Sequence, residues 1–300
     1  MSPDHDRPDW AVEGRDWPNR EHSRFVQAGG IAWHVQQWGR GPKLLMLHGT
    51  GAATHSWREL APALCAHFEI LAPDVPGHGF TGMPDARGLS LPGMARLLRM
   101  LLTSMGFEPE FVLGHSAGAA VAVEMTLAGL IRPKAIIAIN GALLPIRGAA
   151  LFSPLAKLLF LNPLAPRLFA WRAHAGRATD RLLRGTGSHI DARGVELYER
   201  LFRRPGHIAG TLGMMANWDL GTIERRLPEL APSLVLIVAA NDLAVPPADA
   251  WAVARRLTTA RVLTVAAGGH LVHETYPSQT AELIHDATLT ASQAPAYDHL

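Results

Sequence analysis

Apolar positions change rhythm along this chain. After a polar lead (1–23), RFVQ and IAWHVQQWG alternate on either side of Ala28-Gly29-Gly30, as the strands of a β-hairpin do around a turn that permits positive φ. From Lys43 the alternation gives way to short continuous apolar runs separated by stretches with helical spacing. The runs predict strands over 44–48, 69–73, 110–115 and 135–139, and the intervening stretches predict helices over 56–67, 90–105 and 117–130. A strand apolar throughout must be covered on both faces, so an α/β fold with a mostly parallel sheet and flanking helices follows. Beyond Asn140-Gly141 the rhythm stops: residues 142–229 offer helical patterns and no convincing strand, which reads as a helical lid inserted into a core of 24–141 and 230–288. The rhythm resumes with a strand over 233–242, a helix over 247–257, a strand over 260–267 and a helix over 278–288, leaving 289–300 as an expected flexible tail.

Composition sets limits on this picture. With 48% hydrophobic and 18% charged residues, the 300-residue chain can bury a full core, which excludes a disordered protein. No apolar stretch reaches the roughly 18 uninterrupted residues of a membrane span. The opening MSPDHDRPDWAVEGRDWPNR has acids and prolines where a secretory signal needs an apolar segment, so a cytoplasmic location is expected. Cys65 is the only cysteine; it excludes an intramolecular disulfide and reads as an inert buried thiol. The net charge of +2 hides a basic island, because residues 145–229 hold 13 basic and 7 acidic side chains. That island is either a solvated helical surface or an attractor for an anionic substrate, partner or lipid head group; no nucleic-acid-binding motif accompanies it.

The chemistry concentrates at strand ends. Gly114-His115-Ser116-Ala117-Gly118 fits G-x-S-x-G directly after a predicted strand and at the start of a helix, the context that gives this short pattern its meaning. A serine hydroxyl needs a base to take its proton and an acid to orient that base. On such a sheet these follow in the order Ser, Asp or Glu, His, each just beyond a strand. Asp242 closes SLVLIVAAND, and His270 follows the strand over 260–267 and Gly268-Gly269. His273 competes for the base role, with the loop position favouring His270. The helix N-terminus offers the backbone N–H of Ala117 to a developing oxyanion, and the loop His48-Gly49-Thr50-Gly51 offers that of Thr50. No phosphate-binding G-K-[ST], H-E-x-x-H or Cys/His cluster is present, so neither a cofactor nor a metal is expected.

HGTG, DVPGHGFT (74–81), GHSAG, the late Asp242 and the GGH of 268–270 resemble the α/β-hydrolase superfamily over about residues 24–288. Further segments, among them DWPNR (16–20), NGALLP (140–145), FSPLAKLL (152–159), GTGS (185–188) and MMANWDL (214–220), are similar to the magnesium-chelatase accessory proteins called BchO. The superfamily resemblance implies Ser116 as nucleophile, Asp242 as acid, His270 as base, and Thr50 and Ala117 as oxyanion donors. A serine at the elbow departs from the aspartate of haloalkane dehalogenases and epoxide hydrolases. The closer resemblance implies a role in bacteriochlorophyll biosynthesis near magnesium insertion, without fixing a reaction.

Two functions follow as expectations. One is a serine hydrolase acting on a small-molecule ester or tetrapyrrole-type substrate. The other is a non-catalytic accessory protein that binds magnesium chelatase or its porphyrin, the insertion's arginines pairing with propionate carboxylates. The apolar stretch 151–171, with Phe152, Leu155, Leu158, Leu159, Phe160, Leu161, Leu164, Phe169 and Trp171, is read as the inner face of the lid. Flanked by Arg147, Lys157, Arg167 and Arg172, it reads alternatively as a peripheral membrane contact.

Overall fold

A computed structural model describes residues 6–145, 162, 164–173 and 177–293. The apolar runs form one sheet of eight strands: β1 (Ser23–Ala28), β2 (Ile31–Trp38), β3 (Lys43–Leu47), β4 (Glu69–Pro73), β5 (Phe111–His115), β6 (Ala135–Ile139), β7 (Ser233–Ala239) and β8 (Ala260–Val265). Their spatial order is β1-β2-β4-β3-β5-β6-β7-β8. The hairpin partners β1 and β2 are antiparallel, β2 is antiparallel to β4, and all remaining neighbours are parallel.

The continuous apolar runs are explained by the two cores they serve. Leu45, Leu47, Val112, Ile136 and Leu236 point to one face, where α2 (Leu91–Met105), α3 (Ala117–Leu127) and α9 (Pro247–Ala254) pack. Their neighbours Leu44, Met46, Phe111, Leu113, Ile137 and Ile237 point to the other, under α1 (Leu60–Leu64) and α11 (Pro277–Gln293). Each buried leucine or isoleucine stabilises the fold by about 1.5–3 kcal/mol, so a polar substitution on either phase of these strands is costly. α3 is buried almost throughout, and its alanines let it lie close to the sheet behind β5.

The helix expected over 56–67 is much shorter. Thr54–Trp57 forms a 3-10 turn, held by the Thr54 N–H donating to Asp74 Oδ1 at 2.7 Å, and α1 has a single turn. Pro62 accounts for the break, since proline lacks the N–H that a longer helix would need and is tolerated only in a first turn. Cys65, just after α1, is half-buried, and its thiol donates to the Pro62 carbonyl at 3.1 Å. α11 continues to Gln293, past the expected start of the tail; residues 294–300 lie outside the described residues.

Between β6 and β7 the described residues form five α-helices and no strand: α4 (Ala165–Ala173), α5 (Ala178–Arg184), α6 (Ala192–Phe202), α7 (Pro205–Ala216) and α8 (Gly221–Arg226). The described part of the polar lead packs against this insertion. Trp17 is buried with Ala53, Phe80, Leu197 and Leu201, and its Nε1–H donates to Thr54 Oγ1 at 3.0 Å. Asp16 bridges Arg193 at 2.7 Å and Arg200 at 2.5 Å, and Glu13 pairs with Arg204. The hydrogen bond from Arg200, joined by that from Arg193, holds the Asp16 carboxyl well below the usual range, against the opposing effect of burial.

α4 corrects the expected inner face for the residues described. Ala165, Pro166, Ala170 and Ala173 turn inward, whereas Leu164 is 65% exposed and Trp171 67%, with Phe169 also exposed. Small side chains let α4 approach its neighbours closely, which leaves the large ones outside. Residues 151–161 of that stretch lie outside the described residues.

Candidate active site at the carboxyl ends of the strands

β3 lies between β4 and β5, so the chain leaves β3 towards one side of the sheet and comes back on its other side. The crevice beyond the carboxyl ends of two such strands is where open α/β sheets bind ligands. Ser116 stands there, between β5 and α3, with φ 51° and ψ −117°. A serine at positive φ is strained, and its surroundings hold it: the Ser116 N–H donates to Ile139 O at 3.0 Å, and its carbonyl accepts from Ala119 and Ala142 at 3.1 Å each. The turn closes only on glycine. A Cβ at Gly118 would fall 2.0 Å from Leu47 O, and one at Gly114 would fall 2.4 Å from the Ala119 backbone.

The loop after β3 runs alongside. A Cβ at Gly49 would come 3.0 Å from Ser116 Cβ, so Thr50 follows immediately beside the elbow. Neither the Thr50 N–H nor the Ala117 N–H, the latter opening α3, has a hydrogen-bond acceptor among the described residues. Thr50 is exposed at the mouth, with Oγ1 3.5 Å from Met214 Sδ on α7. His48 fixes the loop's base: its Nε2 accepts the Val75 N–H at 2.9 Å, and its Nδ1–H donates to Gly49 O at 2.8 Å.

Asp242 and His270 meet from two different loops. His270 Nδ1 lies 2.8 Å from Asp242 Oδ2, with the carboxylate side chain 1% exposed and the imidazole 11%. The second carboxylate oxygen accepts the N–H groups of Ala244 at 2.7 Å and Val245 at 3.0 Å. Asp242 is thus satisfied on both oxygens and keeps Oδ2 turned to the ring. His273 is aimed elsewhere. Its Nε2 lies 2.8 Å from Ser56 Oγ, and burial, followed by the charges of His270 and Arg58, pushes its pKa down to about 3.

Other polar contacts around the base have no signature in the sequence. Asn140, at φ 45°, donates through Nδ2 to Gly269 O (3.0 Å) and His270 O (2.9 Å), while its Oδ1 accepts from Ala239 at 2.9 Å. One side chain therefore ties the end of β6 to the end of β7 and to the base loop. Asn140-Gly141 reads as a turn signal, which accounts for the backbone and says nothing of the clasp. His115 Nε2–H donates to the same His270 carbonyl at 2.9 Å, and its ring lies between those of His270 and His273. Deeper, Glu274 accepts from Ser56 and Tyr198 at 2.8 Å each and from Arg58, linking the 3-10 turn before α1 and helix α6 to α10 (Val272–Thr275). Among the described residues no three His, Cys, Asp or Glu side chains converge as a metal ion requires.

The pattern of the alpha/beta hydrolase family matches residues 44–283, which takes in the elbow and both loops. The chain belongs to the alpha/beta hydrolase family. It is 37% identical over 279 residues to the magnesium-chelatase 30 kDa subunit of Rhodobacter capsulatus, covering 90% of this chain and 96% of that one. It is 26% identical over 236 residues to the 2-hydroxy-6-oxo-6-phenylhexa-2,4-dienoate hydrolase of Burkholderia cepacia, 71% of this chain and 76% of that protein. The crystal structure of an alpha/beta hydrolase fold protein from Burkholderia ambifaria superposes with a TM-score of 0.74 at 22% identity, over 88% of this chain and all of that one. The fold expected from the apolar runs is the fold of this hydrolase family.

The helices between β6 and β7 carry the basic island, and the structure shows what most of its arginines face. Arg167, Arg184, Arg193, Arg200, Arg203, Arg204 and Arg226 all pair with carboxylates, several of them in the N-terminal lead. Arg172 and Arg177 are exposed and have no carboxylate partner among the described residues.

Proposed function

We propose that the chain is a serine hydrolase acting on an ester or related carbonyl compound of the tetrapyrrole pathway, at the step served by magnesium chelatase. The observation that carries the chemical half is the buried 2.8 Å His270–Asp242 pair, beyond the same end of the sheet as a serine held at positive φ. Ser116 Oγ attacks the carbonyl carbon as His270 Nε2 takes its proton, and Asp242 holds the Nδ1–H and offsets the imidazolium charge. The N–H groups of Thr50 and Ala117 receive the oxyanion, an interaction for which each donor contributes about 10²–10³ in rate. Collapse returns the proton from His270 to the leaving group. Water then attacks the acyl-serine with His270 as base, and Ser116 is restored.

The pathway half rests on the magnesium-chelatase subunit to which the chain is similar over nearly its whole length. That relative's name favours a second reading, in which the chain assists the chelatase without catalysis. The two separate in a strain lacking its own copy of this protein. If the hydrolase reading holds, Ser116→Ala fails to restore pigment synthesis and a tetrapyrrole ester or related intermediate accumulates. If Ser116→Ala restores synthesis and reversing Arg172 and Arg177 to glutamate does not, the accessory reading replaces it.

A peripheral membrane contact belongs to the same proposal. Leu164, Leu168 and Trp171 follow one another at helical spacing and are 65%, 61% and 67% exposed, with Arg172 beside them. No described helix is long and apolar enough to cross a membrane. An apolar stripe edged by cations fits the surface of an anionic bilayer instead. Sedimentation with phosphatidylglycerol vesicles at low salt, reduced by Leu168→Ser together with Trp171→Ser, is the expected result; no sedimentation at low salt rejects the contact.

A further inference from the structure

The insertion sends one short segment between the two loops that hold Asp242 and His270. The carbonyl of Thr186 accepts the Leu243 N–H, one residue past the acid, and the N–H of His270 itself, each at 3.2 Å. Asn241 spans the same gap: its Nδ2 donates to Gly187 O at 3.3 Å, and its Oδ1 accepts the Gly269 N–H at 2.9 Å. Side chains close the arrangement. The Leu271 N–H donates to Ser188 Oγ at 2.9 Å, Ser188 Oγ lies 2.9 Å from Thr186 Oγ1, and Thr186 Oγ1 lies 2.6 Å from Leu183 O. The Leu183 carbonyl can only accept, so the Thr186 proton goes there and Ser188 must donate to Thr186. The relay therefore has one direction, from the base loop into the end of α5, with every proton placed.

Backbone fit is equally tight. Gly187 has φ 82°, and a Cβ there would fall 2.3 Å from Asn241 O; a Cβ at Gly269, φ 65°, would fall 2.2 Å from the carbonyl carbon of Gly187. Ser188 is buried. Among the described residues, neither Thr186 nor Ser188 hydrogen-bonds to Ser116 Oγ or His270 Nε2.

We infer that Thr186-Gly187-Ser188 is a positioning element that fixes the separation and alignment of His270 and Asp242, so that the chemistry depends on the insertion being docked. The catalytic consequence rests on the serine-hydrolase reading; the alignment of the two side chains does not. A displacement of about 1 Å in a reacting group can cost about a hundred-fold in rate, so slack in this segment is felt without any contact to substrate.

The test uses the full-length protein and a fluorophosphonate, varying its concentration to separate the saturating rate of inactivation from the half-saturating concentration. In Ser188→Ala the Leu271 N–H loses its acceptor; the saturating rate falls at least about ten-fold and the half-saturating concentration stays put. The downfield proton resonance of the His270–Asp242 hydrogen bond, identified by its loss in Asp242→Asn, broadens or vanishes while amide dispersion is kept. Thr186→Val interrupts the relay at nearly constant shape and follows Ser188→Ala, whereas Thr186→Ser keeps the hydroxyl and matches the native protein. This second pair carries the test if Ser188→Ala folds poorly. Native rates and an unchanged resonance in both Ser188→Ala and Thr186→Val overturn the inference. If the native protein takes no label, the hydrolase reading fails separately, and the resonance alone decides whether the segment positions the pair.

Discussion

Acidification should loosen the insertion from the core, and at His207 the size of the effect can be worked out. His207 projects from α7 and is buried, with Nδ1 accepting the Gly79 N–H and Nε2–H donating to Gly51 O, both at 3.1 Å. Both ring nitrogens are used in the neutral form, and a proton added at Nδ1 would face the Gly79 N–H. Burial lowers the pKa from 6.5 to about 4, opposed by the Gly51 carbonyl and assisted by His48. The unfolded chain therefore binds this proton near pH 6.5 and the folded chain only near pH 4. Stability is fully present above the upper value and is lost as pH falls towards the lower. At about 1.4 kcal/mol per pKa unit the interval amounts to roughly 3 kcal/mol, a large part of the 5–15 kcal/mol or so that holds a typical domain together. Urea unfolding between pH 7 and pH 4 measures it. His207→Gln does not titrate; it should start less stable at pH 7 and lose roughly 3 kcal/mol less than the native protein on the way down. Parallel curves of unfolding free energy against pH for the two proteins would mean that protonation of His207 does not drive the loss.

Glu274→Gln leaves the Arg58 guanidinium, 4% exposed, with Asp191 at 3.3 Å as its one remaining carboxylate among the described residues, and is expected to cost about 3–5 kcal/mol in urea unfolding. Arg58→Met should cost less, because burial already raises the Glu274 pKa and the carboxyl can take a proton, which a guanidinium cannot lose; equal costs would contradict this. Gly118→Ala forces a methyl group against Leu47 O and should lower stability by about 1–3 kcal/mol or more, read as a drop in thermal midpoint. An unchanged midpoint would mean that α3 can move away from β3 freely.

Strand ends are legible in this sequence because they need only local signals. An apolar run sets where β5, β7 and β8 stop, and Ser116, Asp242 and His270 follow within a few residues, so their common side of the sheet can be read off the pattern. The mutual exclusion of His270 and His273 is different in kind. Both follow the same strand, and only the geometry shows one ring on Asp242 and the other on Ser56. Asn140 and Thr186-Gly187-Ser188 carry turn chemistry in the sequence, and their ties to the base loop span 130 residues from Asn140 to His270 and 83 from Ser188 to Leu271, beyond any periodicity. The partners of the polar lead are hidden for a related reason. Asp16 and Glu13 look like solvated charges until Arg193, Arg200 and Arg204 fold back onto them, which also removes those arginines from the pool available to an anionic partner. α4 shows the limit of hydrophobicity as a guide to burial, since close approach of alanines turned Leu164 and Trp171 outward.

The central claim, that Ser116 is a nucleophile activated by His270 and Asp242, is tested most directly by intact-mass analysis after exposure to a fluorophosphonate. A single adduct on the folded protein, mapped to the peptide containing Ser116, absent in Ser116→Ala and formed at least about a hundred-fold more slowly in His270→Ala, is the expected result. No adduct on folded protein, or an adduct that persists in Ser116→Ala, would contradict it.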